Sequence, residues 1–93
     1  MRIISHKALQ NFADIHPQAF APLQEWRGKI RNATINSYAE LKNLFNSVDK
    51  VGHYFVFNIA GNRYRLIAAI HFNTQTLYIR SIMTHKEYDQ WKP

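Results

Sequence analysis

Apolar positions along the chain follow two different periods, and the change falls near its middle. Over residues 6–16, Ala8, Leu9, Phe12, Ala13 and Ile15 recur at a rough three-to-four spacing, the repeat that gathers side chains on one face of a helix. The spacing predicts a helix there, with Ser5 as its N-cap and Pro17 as its stop. A second helical pattern runs over 19–31, where Phe20, Leu23, Trp26 and Ile30 recur every three or four residues. Ser37-Tyr38-Ala39-Glu40 has the spacing of a capping box, in which the hydroxyl and the carboxylate each satisfy an unpaired backbone N–H. It predicts a short helix over 38–45, followed by a linker over 46–52. The first residues, 1–4, could form a short strand.

From His53 onward the pattern is that of strands. Residues 54–59 are aromatic and β-branched, 64–72 form a long apolar run, and 77–83 a third strand. Ala60-Gly61-Asn62 and Asn73-Thr74-Gln75-Thr76 supply the turns between them. Thr84-His85-Lys86-Glu87 repeats the capping-box spacing and predicts a closing helical turn through Trp91. Helices followed by strands give an α+β fold, with the N-terminal helices packed on one face of a small antiparallel β-sheet. At 93 residues the expectation is one domain, 1–93.

Side chains alternate across a strand, so register sorts them by face. With the first hairpin turning on Gly61-Asn62, Ile59 pairs with Tyr64 and Asn58 with Arg65. With the second turning on Asn73–Thr76, Ile70 pairs with Ile79 and Ala69 with Arg80. One face then collects Phe55, Phe57, Ile59, Tyr64, Leu66, Ile70, Phe72, Leu77, Ile79 and Met83, and is the face for helices to cover. The opposite face collects Tyr54, Asn58, Arg63, Arg65, His71, Tyr78, Arg80 and Ile82, with Arg65 and Arg80 on adjacent strands. The closing segment leaves the third strand just past Arg80 and brings His85, Lys86, Tyr88 and Asp89 to the same rim.

Charge sharpens that face. Twelve Lys and Arg stand against six Asp and Glu, a formal net charge of +6, which favours polyanionic partners. Between Asp49 and Glu87 there is no carboxylate, while Lys50, Arg63, Arg65, Arg80 and Lys86 fall within that stretch. Ordinary solvated surfaces mix the two signs. Cysteine is absent, so neither disulfides nor thiolate metal sites are open to the chain. No apolar run approaches membrane-spanning length, and the N-terminus lacks the features of a signal peptide, so a cytoplasmic location without membrane contact is expected.

The residues limit the chemistry. Gly28, Gly52 and Gly61 are isolated, so no phosphate-cradling glycine loop exists. His85 and Asp89 share an i,i+4 spacing but lack the further ligands of a metal site, so neither metal nor cofactor is expected. What remains is Arg, Lys, His and Tyr on a shallow basic face. RNA carries its own nucleophile, the 2′-hydroxyl, and its cleavage then needs a base, an acid and cations against the phosphorane charge. Arg65 and Arg80 can serve as the cations, His85 and Tyr88 as proton-transfer groups, and Lys50, Asn58, Arg63 and Lys86 as further RNA contacts. The same residues could equally bind RNA or the ribosome without cutting, or meet an acidic protein.

The stretch 53–70, with Val56-Phe57-Asn58, Gly61-Asn62 and Arg65, then Tyr78-Ile79-Arg80 and Thr84-His85-Lys86-Glu87-Tyr88-Asp89, resembles the HigB toxins of type II toxin–antitoxin systems. These lie within the RelE-like superfamily, and the resemblance covers essentially the whole chain. It implies a RelE-like fold and an mRNA interferase that cleaves transcripts on the translating ribosome. It also implies a HigA-type antitoxin with a helix-turn-helix region, through which any contact with DNA would be indirect. By position Arg65, Arg80 and Tyr88 match the residues that serve the family's chemistry, with His85 as an acid or base. Where several members carry lysines in the middle strands, this chain has Asn58 and Arg63.

Overall fold

The computed structural model describes all 93 residues. Two long helices, α1 (His6–Ile15) and α2 (Phe20–Arg31), precede a shorter α3 (Tyr38–Leu44). Strands β1 (Arg2–Ile4), β2 (Asp49–Val51), β3 (Tyr54–Ile59), β4 (Tyr64–His71) and β5 (Thr76–Thr84) form one sheet in the order β1-β5-β4-β3-β2, and α4 (His85–Asp89) closes the chain. The α+β expectation holds. The sheet is larger than expected: β1 joins β5 in parallel, and β2 lies within the stretch read as a linker.

Local chemistry explains most boundaries. Ser37 Oγ accepts the Glu40 N–H at 3.2 Å, while the Glu40 carboxylate reaches back to the Asn36 N–H, so the box at α3 is half formed. Ser5 is not a side-chain cap: it sits in the left-handed region at φ 81°, and its carbonyl, not its hydroxyl, bonds the Ala8 N–H. Pro17 does stop α1, but it opens a short 3-10 turn that leads into α2 rather than an ordinary loop. At the end of the chain, α4 covers five residues and stops short of Trp91.

The helices bury the face that register predicts. Leu9, Leu23, Trp26, Ile30 and Leu41 pack with Phe55, Phe57, Leu66, Leu77 and Ile79 in one core. The first hairpin pairs as expected, Ile59 with Tyr64 and Asn58 with Arg65, around Gly61 at φ 66°. The second hairpin does not. Ile70 pairs with Leu77 and His71 with Thr76, two residues away from the expected ladder. Phe72 leaves the strand to pack edge-on against Phe55, and Gln75 turns left-handed so that its side chain bonds both the N–H and the carbonyl of Ile35. Those tertiary contacts, absent from any local pattern, move the turn. A shift of two keeps every side chain on its own face.

A bulge in β5 then changes parity. Ile67 pairs with Ser81 but Ala68 with Ile79, leaving Arg80 as the extra residue. Beyond it Ile82 stands opposite Leu66, against the helices, and Met83 opposite Arg65, on the other face. This reverses the expected placement of both residues.

Candidate active site

The face away from the long helices is only partly open. Val56 and Ile67 lie on it yet are 3% and 1% exposed, and the closing segment returns over this side, Trp91 meeting Tyr54 and bordering the same recess as Ile67. Its anchor is at α4, where the full capping box forms: Thr84 Oγ1 accepts the Glu87 N–H, and the Glu87 carboxylate accepts the Thr84 N–H at 2.8 Å. The Thr84 backbone, then its side chain, hold the Glu87 carboxyl below the usual carboxylate range, against a small opposing effect of burial and with His16 adding to the lowering. The His85 N–H donates to the Arg63 carbonyl at 2.8 Å, fastening the start of α4 to the β3–β4 turn.

That fastening builds a cluster around Arg65. Its guanidinium donates to the carbonyls of Asn62 and Tyr64 at 3.1 and 3.2 Å and to the Asn62 side chain. It also approaches His85 Nδ1 at 3.3 Å and lies under the Tyr88 ring, 5.5 Å from its centroid. Arginine can only donate, so the contact is a hydrogen bond with His85 Nδ1 as the acceptor, in the tautomer that carries the ring proton on Nε2. Arg65 lies on the expected face but is only 7% exposed, because Tyr88 and the β3–β4 turn enclose it.

Arg80 is exposed, with its guanidinium over the Tyr78 ring at 5.6 Å. Protruding at the bulge, it borders a slot with Tyr54, Ile67, Ser81, Trp91 and Lys92. Thus Arg65, Arg80, His85 and Tyr88 come to one face, with Ile67 between the two arginines along the sheet. Arg63 and Lys86 are exposed on the turn and helix that flank Arg65. Asn58, exposed on β3, pairs with Arg65. Lys50 does not join them: it stands opposite Phe55, so it points to the helix side of the sheet. Sequence reasoning missed Asn62, read only as a turn residue, and Trp91, although Tyr88 and Trp91 are three apart and stack at 5.7 Å.

A larger surface groove of about 500 Å³ lies between α1 and α2 and shares no residue with this cluster. Its His6 accepts the Arg27 Nε–H at 3.2 Å, and burial, then Arg27 and Arg31, push the imidazole below its ordinary pKa. No three His, Asp or Glu side chains come close enough to hold a metal ion. No helix is long and apolar enough to cross a membrane.

Residues 19–91 match the HigB toxin family, described as the RelE-like toxic component of a toxin-antitoxin system. The chain belongs to that family. It is 37% identical over 92 residues to the mRNA interferase toxin HigB of Escherichia coli strain K12, covering 96% of this chain and 88% of that protein. The mRNA interferase HigB of Escherichia coli O157:H7 matches to the same extent. A more distant HigB, from Escherichia coli O6:H1, is 26% identical over 93 residues.

Proposed function

We propose that the chain, as one toxin domain, is an mRNA interferase that cuts RNA by transesterification, acts on the translating ribosome and is silenced by a HigA-type antitoxin. The observation that carries the reading is the convergence of Arg80, His85 and Tyr88 beside the buried Arg65 on one basic face, in a chain similar to mRNA interferases. In the reaction the 2′-oxygen attacks phosphorus, the 2′-O–P bond forms and the P–O5′ bond breaks. One proton leaves the 2′-hydroxyl and one reaches the departing O5′.

Arg80, exposed and forked, holds the scissile phosphate and opposes the phosphorane charge. Arg65 acts as a positioning residue, since both terminal nitrogens of its guanidinium bond groups within the chain. It orients the His85 Nε2–H outward and supports the Tyr88 ring from below. Tyr88 and His85 carry the protons, and His85 becomes a base only when its Nδ1 parts from Arg65. Arg63 and Lys86 extend the contact along the RNA backbone. This route asks nothing of a metal ion.

Product ends test it. Cleavage on translating ribosomes should leave a 2′,3′-cyclic phosphate and a 5′-hydroxyl, and a single 2′-O-methyl group at the cut site should abolish it. A 5′-phosphate on the downstream fragment would overturn the mechanism. A second reading, an RNA- or ribosome-binding module without catalysis, draws on both terminal nitrogens of Arg65 being engaged by protein partners. It predicts salt-sensitive RNA binding and no fragments at all.

A further inference from the structure

We infer that the slot bordered by Tyr54, Trp91 and Arg80 receives one nucleobase of single-stranded RNA, beside the phosphate held by Arg80. The inference rests on reading this face as an RNA interface and adds to it a base-stacking subsite. Trp91 and Tyr54 meet at 6.0 Å with their planes 74° apart, forming two walls of a recess of about 150 Å³. Ile67, 1% exposed, floors it, and Arg80 and Lys92 stand at its rim. No carboxylate side chain is among the residues lining the slot.

A recess with two aromatic walls and cations at its edge suits a base attached to a phosphate. Aromatic faces accept the π-face of any base, and arginine and lysine meet the adjoining backbone. The bulge is what makes the arrangement possible. As the extra residue, Arg80 is freed from a ladder position and brought to the slot's border. The slot is also mechanically joined to the catalytic cluster. Trp91 stacks on Tyr88 at 5.7 Å with planes 19° apart, and Tyr88 covers Arg65. A base seated against Trp91 therefore braces the ring that lies over Arg65.

The test uses the full chain and a fluorescein-labelled hexanucleotide in which every ribose is 2′-O-methylated, so that it cannot be cut. Trp91→Ala should weaken binding about tenfold without altering the salt dependence, whereas Trp91→Phe should restore most of the affinity. Arg80→Ala should instead flatten the salt slope by about 0.7. An abasic hexamer should bind the parent chain and Trp91→Ala equally, which a merely structural loss would not produce. Independently of any variant, the base-containing hexamer should quench indole emission and the abasic one should not, since Trp26 is buried in the core. Equal binding of the parent chain and Trp91→Ala, or a Trp91→Ala loss as large on the abasic strand, overturns the slot. So does absence of base-dependent quenching. Quenching without RNA cleavage would leave the slot standing and remove the nuclease reading; cleavage without quenching would do the reverse.

Discussion

Arg65 and Arg80 leave neighbouring strands on the same face, yet they occupy opposite environments. Arg65 is enclosed by the β3–β4 turn, His85 and Tyr88, and its donors go to groups of the chain itself. Arg80 stands out at a bulge, exposed, with only an aromatic face beneath it. The difference teaches that sharing a face does not mean sharing a task. A guanidinium whose hydrogen bonds are met inside the protein stabilises and orients, whereas one left open can meet a phosphate.

The contrast can be broken most forcefully at Arg80. Arg80→Ala should slow cleavage by about 100- to 1,000-fold, the cost of removing one donor to developing charge, while the urea midpoint stays at its parent value. Equal cleavage rates for the two proteins would show that the exposed arginine does nothing in the reaction. Arg65→Ala should act on folding first. Leaving the Asn62 and Tyr64 carbonyls and His85 Nδ1 without their donor should cost about 3 kcal/mol in urea unfolding. Arg65→Lys should recover little of it, because an ammonium cannot reproduce the fork. A stable Arg65→Ala protein would mean that the enclosure has no structural weight.

A milder change tests how the two regions are tied together. Thr84→Ala removes the cap of α4 and should cost about 1 kcal/mol, with faster hydrogen exchange confined to residues 85–89. If exchange there is unaltered, α4 is held by its aromatic contacts rather than by its cap. Acidification should have the smallest effect, and in two stages. His6 has a folded pKa below its ordinary 6.5, so the unfolded chain binds the proton first and stability falls as pH drops from 6.5 through the lower folded value. Glu87 is also lowered, so its contribution is complete above the ordinary 4.5 and is lost as pH falls through its folded value. His6→Gln should flatten the first stage alone; an unchanged profile would remove His6 from the account.

Much of this arrangement could be read along the chain. The pairing of Asn58 with Arg65 followed from Gly61-Asn62, because a short turn leaves few registers and the apolar face rejects a one-residue slip. The capping box at Thr84 was equally legible, since its two hydrogen bonds join residues only three apart. The second hairpin was not, because Gln75 answers to Ile35, 40 residues away. Nor was the burial of Arg65, which depends on Tyr88 returning across the sheet, or the turning of Lys50 to the helix side.

By itself, then, the order of residues determined the helices, strands β3 to β5, most of the apolar face of the sheet and the basic character of the other face. These depend on periodicity and short-range hydrogen bonds, which neighbours in the chain decide among themselves. Which arginine is enclosed and which is free, and that Trp91 meets Tyr54, were decided only in three dimensions. A single extra residue in β5 and the returning closing segment set them, and both owe their positions to contacts between residues far apart in the chain.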